Sequence, residues 1–256
     1  MYTFLHELLS DKKGGIIFEL FGFWHFFYII LTAITVALVL CLCKNKDDGF
    51  KKKVARFFGD ISFGLYVADF FLMPLAYGEI DIEKLPFHAC TAMCVMCFLS
   101  YRIKFLEKYR ASFVLLGFIS NLVYLIYPAG VMWHAVHPLS YRVVQTLLFH
   151  SIMTVYGFLT LVFEAETISV RKCCRDLTVT VCMTLWALAG NYAYNNESRF
   201  YNWFFVVRDP FYAIPEKIAP FVMPFLNVAL FFTVEMIIQL IIATAKHKKH
   251  QERTTQ

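Results

Sequence analysis

Three side chains in this chain make a set with recognisable chemistry: the thiol of Cys90, the imidazole of His150 and the amide of Asn191. A thiol is a strong nucleophile only as the thiolate, so it needs a base or a positive neighbour. His150 is the candidate base, and Asn191 or a tyrosine is a candidate to orient the ring or hold an oxyanion. Two of the three have a structural alternative. A buried histidine is often a neutral one bonded to a neighbouring helix. Cys90, Cys94 and Cys97 share a helix face by i, i+4, i+7 spacing, which close packing of small residues also explains.

The elements that must position these residues follow from composition. The chain is 59% hydrophobic and 18% aromatic, with a mean hydropathy of +0.58. A soluble domain of this length needs far less apolar surface. Seven stretches approach the ~20 apolar residues that cross a bilayer as a helix: Phe23–Cys43, Ile61–Tyr77, Leu85–Tyr101, Ala111–Trp133, Leu139–Phe163, Leu177–Tyr194 and Ile218–Ala245. They are apolar all round rather than alternating, which fits helices and not a barrel. The expected fold is therefore all-α: a polytopic membrane protein with a seven-helix bundle over residues 23–245. An interfacial arm (1–22) precedes it and a basic tail (246–256) follows. The arm opens with Glu7, Asp11, Lys12 and Lys13, unlike a cleavable signal peptide, and Gly14 and Gly15 mark a bend before Ile16–Phe21.

Lysine and arginine set the orientation, because they accumulate on the cytoplasmic side. Seventeen of the 24 lie after the first, third and fifth stretches and in the tail, including Lys51, Lys52, Lys53, Lys108, Arg171, Lys172 and Arg175. This places the N-terminus outside and the C-terminus in the cytoplasm. The basic excess is accounted for by anionic lipid headgroups at the cytoplasmic loops and requires no nucleic acid.

The opposite half carries the polarity. All eight prolines and six of the eight histidines fall there. Pro74, Pro220 and Pro224 lie inside apolar runs, where a missing N–H kinks the helix and splays the bundle. His25, His88, His134, His137 and His150 lie in this zone and His6 in the arm, while His247 and His250 belong to the basic tail. Cys41, Cys43, Cys173 and Cys174 read as residues at the cytoplasmic interface, unmodified or palmitoylated, and the outer loops hold no cysteine for a disulfide framework. The aromatic loop Asn195–Lys217, with Phe200, Tyr201, Trp203, Phe204 and Phe205, suits a membrane-surface belt or a roof over an outer cavity. No repeat shows at a fixed period.

Leu85-Pro86-Phe87-His88-Ala89-Cys90 resembles the Leu-Pro-x-x-x-Cys opening of a helix in the YwaF-like integral membrane proteins of bacteria. Phe149-His150-Ser151, following His137-Pro138, is similar to that family's histidine helix, and Gly190-Asn191-Tyr192-Ala193-Tyr194 to its Asn-Tyr-x-Tyr helix end. That family is similar in turn to the eukaryotic transmembrane protein 164 group, and more distantly to the androgen-induced-gene lipid hydrolases. The resemblance implies a lipid acyltransferase or lipid ester hydrolase in a bacterial cell membrane. Cys90 would be the nucleophile and His150 the base, with membrane lipid as substrate and no cofactor. His88, His137, Tyr192 and Tyr194 would then contact substrate. Thr91 stands where the family often has an acidic residue, and His88 is a second candidate base.

Two other readings stay open. In a transporter or small-ligand receptor, a polar cavity would draw on Asp69, Asn121, Asn227 and Glu235, with Asp69 near Pro74 and Glu235 with Asn227 as candidate proton or cation sites, or else as interhelical bonds or protonated carboxyls. A zinc site would draw on His88, Cys90, His134, His137 and His150, though their spacing matches no known ligand set.

Overall fold

The computed structural model describes all residues except 1–5, 7–8, 12–14, 79–80, 133–135, 165 and 255–256; for 129, 132 and 246–254 it describes the backbone alone. The elements are helical: α1 (Phe23–Cys43), α2 (Asp48–Tyr77), α3 (Ala89–Ser100), α4 (Lys104–Glu107), α5 (Arg110–Ile126), α6 (Ala129–Met132), α7 (Tyr141–Phe163), α8 (Val170–Tyr194) and α9 (Ala219–Thr254). Short 3-10 turns lie at Ile82–Lys84 and Trp203–Phe205. Four helices are long and apolar enough to cross a membrane: α1, α2, α7 and the Ala219–Ala245 part of α9. The chain is an all-α integral membrane protein.

Several expected boundaries move, each for a local reason. The second stretch, expected from Ile61, belongs to a helix that begins at Asp48, because Asp47 caps it by accepting the Phe50 N–H at 2.9 Å. Lys51, Lys52 and Lys53 therefore stand on helix rather than in a loop. The third begins only at Ala89, after the Leu85–His88 turn that Pro86 opens. The fourth breaks after Ile126: Pro128 lacks an N–H and drives Tyr127 out of the helical region, and α6 follows. The sixth begins at Val170, where the Ser169 hydroxyl accepts the Lys172 N–H at 3.2 Å. The last runs through the tail to Thr254.

The chain divides into two compact units, Met1–Lys84 with Ser120–Phe163, and Leu85–Ile119 with Glu164–Gln256. In the first unit α7 is the central helix, with 67% of its apolar window buried against 17% for α1 and 22% for α2. A helix apolar on every side yet largely exposed has lipid as its solvent. Ile30, Leu31, Ile34, Leu38 and Leu42 give α1 such a face. The buried side of α2 is one stripe: Ala55, Ser62, Tyr66, Asp69, Met73 and Ala76. Its small residues let α7 come close. Ala55 packs with Val155 and Leu159 of α7 and with Val36, Val39 and Leu40 of α1.

The opposite end of this unit is closed by polar ties. Asp69 is 1% exposed; it accepts the Tyr141 hydroxyl at 2.6 Å and pairs with Lys84 at 3.1 Å. Lys84 also donates to Gln145 at 3.3 Å. Asp69 thus ties α2 to α7 and to the Ile82–Lys84 turn, with both carboxylate oxygens engaged. His25, fully buried, accepts the Phe21 N–H on Nδ1 at 2.9 Å, so Nε2 carries the proton toward the Leu125 carbonyl at 2.8 Å. Described residues of the expected interfacial arm pack against the helices. Phe18 joins the core of Tyr28, Leu125, Val131, Val136, Val143 and Leu147, and its N–H donates to Val136 at 3.0 Å. Asp11 accepts the Tyr77 hydroxyl at 2.8 Å and pairs with Arg142.

Gly59, one turn from Ala55, is a close approach of α2 to α7. A Cβ there would lie 2.9 Å from the Tyr156 ring, and Tyr156 is 1% exposed. Gly59→Leu should destabilise the protein by about 1–3 kcal/mol through overpacking, read as a lower midpoint of thermal unfolding in detergent. An unchanged midpoint would mean that α7 does not rest on this stripe.

Candidate functional site

The second unit brings together the Leu85–Cys90 segment, the C-terminal end of α8, the 195–217 loop and the start of α9. Phe87 is the pivot. Its ring stacks on Trp186 at 5.0 Å, lies 4.9 Å from Trp203 and 5.8 Å from Tyr194. Gly190 makes room for it. Trp186, one turn earlier on α8, donates its indole N–H to the Pro86 carbonyl at 2.7 Å. Two of the motifs singled out in the sequence are therefore one packing unit: Phe87 of the first seats on Gly190 of the second. Trp186 was not singled out, although its position four residues before Gly190 puts both on one helix face.

The loop closes over this seat. Asn191, fully buried, donates to the Ala187 carbonyl at 2.8 Å and the Trp203 carbonyl at 3.0 Å, and accepts the Trp203 N–H at 3.0 Å. Both of its amide hydrogens are engaged, so this geometry makes it the anchor of the Trp203–Phe205 turn. Phe204 and Phe205 sit in the left-handed region, at φ 56° and 52°. That conformation costs a β-carbon residue on the order of 1–3 kcal/mol, and Asn227 holds it by donating to the Phe204 and Phe205 carbonyls at 2.6 and 3.1 Å. Asn227 therefore serves the loop and is not the partner of Glu235. Further along, Asp209 accepts the N–H groups of Phe211, Ala213 and Ile214. These backbone bonds, Phe211 first, hold its carboxyl below the usual carboxylate range against the opposing effect of burial.

His88 is the N-cap of α3, and its Nδ1 accepts the Phe204 N–H at 3.4 Å. In the neutral ring the proton is then on Nε2. Thr91 donates its hydroxyl to the His88 carbonyl at 3.1 Å. Cys90 is the second residue of α3, closer to the helix end than the sequence suggests. The amides of a first turn have no acceptor within the helix, and the dipole there favours negative charge. Cys90 is half-buried, whereas Cys94 and Cys97 are 1% and 2% exposed. Tyr194 borders the Phe87 seat, while Tyr192 turns outward, 71% exposed.

His150 belongs to the first unit. It is 5% exposed, stacks on Tyr124 at 3.8 Å and meets the edge of Phe149. Its Nδ1 lies 2.7 Å from the Thr146 carbonyl, which can only accept, so Nδ1 carries the proton and Nε2 is the basic nitrogen. His137, also in the first unit, is half-buried in the turn before α7 and accepts the Leu139 N–H at 3.1 Å. His134 lies outside the described residues. Among the described residues no three His, Cys, Asp or Glu side chains converge to hold a metal.

Two outcomes follow. A Cβ on Gly190 would meet the Phe87 ring at 2.4–2.8 Å, and that ring is clamped between two tryptophans. Gly190→Ala should lower stability by about 1–3 kcal/mol and should cost far less in a Phe87→Ala background, a coupling that thermal unfolding of the four proteins of the cycle measures. For Asp209 the depressed carboxyl stabilises the loop at neutral pH, and that contribution is lost as pH falls through about 4 and below. Asp209→Ala should make the 202–214 segment protease-sensitive at neutral pH, and wild type should reach that sensitivity only on acidification, followed by mapping of the cleavage sites.

Comparison of the chain with curated proteins and with solved structures gives no match. The model of one protein family matches residues 20–246, a stretch that takes in the Pro86–Cys90 segment, His150 and the Asn191-anchored loop: the chain belongs to the TMEM164 family.

Proposed function

We propose that the chain is a lipid acyltransferase or lipid ester hydrolase in which Cys90 is the nucleophile and His150 the base. The observation that carries this reading is the setting of Cys90. It stands in the first turn of α3, beside the Phe87 seat, and is the accessible member of a cysteine stripe whose other two members are sealed. In this scheme His150 Nε2 accepts the Cys90 proton. The thiolate attacks the ester carbonyl carbon of a lipid, the tetrahedral oxyanion collapses, and the carbon–oxygen bond to the leaving alcohol breaks. That alcohol leaves with the proton from His150, and the acyl group stays on Cys90 as a thioester. A second alcohol, or water, then attacks the thioester with His150 again as base, which restores the thiol.

The same proposal takes the chain as crossing the bilayer seven times with the N-terminus outside. The seven apolar stretches and the bias of lysine and arginine support it. On this layout α3, with its 12 residues, covers only roughly 18 Å of a ~30 Å hydrocarbon core. The Leu85–His88 turn makes up part of the remainder.

The test is turnover of labelled phospholipid by the purified protein, with mass spectrometry of the trapped thioester. Cys90→Ala should abolish both, and Cys90→Ser should retain little activity, because a hydroxyl is far harder to deprotonate. His150→Ala should lower turnover by about 10²–10⁴-fold, with little added loss in the double variant. Cys94→Ala should be nearly silent in activity. Wild-type turnover in Cys90→Ala would end the proposal; a dead Cys94→Ala beside a live Cys90→Ala would move the nucleophile one turn along α3.

A further inference from the structure

The α8–α9 pair of the second unit carries a polar patch that the acyl chemistry does not use. Asp176 and Thr180 are one turn apart on α8, as are Glu235 and Gln239 on α9. They pair across the two helices in two rungs. Gln239 Nε2 donates to Asp176 Oδ2 at 2.6 Å, and Thr180 Oγ1 donates to Glu235 Oε1 at 3.1 Å. All four are buried: Asp176, Thr180 and Glu235 are 0% exposed and Gln239 is 5%. Lys172, 5% exposed, closes the Asp176 end with Nζ at 2.9 and 3.2 Å from its two oxygens.

Charge and hydrogen bonds both leave a remainder. Lys172 and Asp176 neutralise each other, and they are the charged groups that face Glu235. Glu235 as a carboxylate would leave one negative charge enclosed in an apolar helix pair, which is unfavourable unless a positive charge compensates it. Among the described residues, Glu235 Oε2 and Gln239 Oε1 have no hydrogen-bond partner. Both are acceptors, both belong to the same turn of α9, and Gln239 cannot be flipped to turn its nitrogen inward without setting its oxygen against Asp176. A single positive charge between them answers both remainders at once. A divalent ion would leave an excess positive charge.

We infer that Glu235 and Gln239 form a buried binding site for one monovalent cation, a proton or a sodium ion, bridging Glu235 Oε2 and Gln239 Oε1. A proton would sit on Oε2 and be donated to the amide oxygen. A sodium ion would take the same two oxygens in an all-oxygen set with Thr180 Oγ1. Either occupant ties the second rung between α8 and α9 and leaves the Lys172–Asp176 pair undisturbed. The site is independent of the acyl chemistry proposed for Cys90.

The experiment is thermal unfolding of the full-length protein in phosphatidylcholine nanodiscs. Sodium chloride is compared with choline chloride at fixed pH, then pH is varied without sodium, for wild type, Glu235→Gln and Gln239→Leu. Because a ligand of the folded state raises the midpoint by mass action, sodium should raise the wild-type midpoint by about 4 °C or more if it is the occupant, and should not move Glu235→Gln. If the occupant is a proton, sodium should do nothing. The wild-type midpoint should instead rise relative to Glu235→Gln as pH falls from about 8 to about 6, because the folded state then binds more protons than the unfolded. Should Glu235→Gln fail to fold, Gln239→Leu keeps the charge and removes one of the two bridged oxygens, so its response should weaken. Responses to sodium and pH that are the same in wild type and the variants overturn the inference.

Discussion

Lipid offers a polar group no hydrogen-bond partner, so each one carried into the helices must be answered by another group of the same protein. This constraint explains where the side-chain bonds of the chain concentrate. Asp69 is answered by Tyr141 and Lys84, His25 by Phe21 and Leu125, Asp176 by Lys172 and Gln239, and Asn191 by Ala187 and Trp203. Each tie links elements that exposed apolar faces alone would leave free to slide, since lipid tails are as apolar as leucine. Apolar packing and small residues bring the helices together, and these polar ties fix their register.

The same constraint divides the histidines by tautomer. His25 accepts a backbone N–H on Nδ1, which leaves its proton on Nε2 toward Leu125. His150 faces a carbonyl with Nδ1, which leaves Nε2 as its basic nitrogen. The local i−4 bond to the Thr146 carbonyl thus gives His150 the opposite tautomer to His25. His88, whose backbone takes the N-cap position of α3, turns Nδ1 to the Phe204 N–H and so ties its ring to the loop.

How much of this the sequence carries depends on the range of each interaction. The α1 helix and most of α7 were legible because each is a long apolar run bounded by turn residues. The start of α2 was hidden by Lys51, Lys52 and Lys53, which read as a loop although Asp47 is a good N-cap. The Lys172–Asp176 pair is spaced i, i+4 and so was legible, but counting Lys172 only as a basic loop residue concealed it. Cys90, His88 and Asn191 stood out by type. The Trp186–Pro86 bond, at a separation of 100 residues, and the bonds from Asn191 to Trp203 and Asn227 to Phe204 reach across irregular chain, where periodicity carries no information.

The position of Cys90 follows from the same backbone constraint. On the proposed seven-span layout α3 would begin below the membrane surface, because Pro86 and the Leu85–His88 turn delay the helix. A helix start at that depth is tolerable only where protein covers its amides and carbonyls. In this unit Trp186 satisfies the Pro86 carbonyl, Phe87 fills the space over Gly190, and Asn191 and Asn227 hold the Trp203–Phe205 turn beside the His88 cap. Such a start also gathers, at one covered point, the donors and positive dipole that favour a developing negative charge. A thiol deeper in α3, such as Cys94 or Cys97, has helix on both sides and its backbone amides already bonded along the helix. The delay of α3 is therefore what distinguishes Cys90 from its two neighbours on the stripe, and Pro86 is the residue that imposes it.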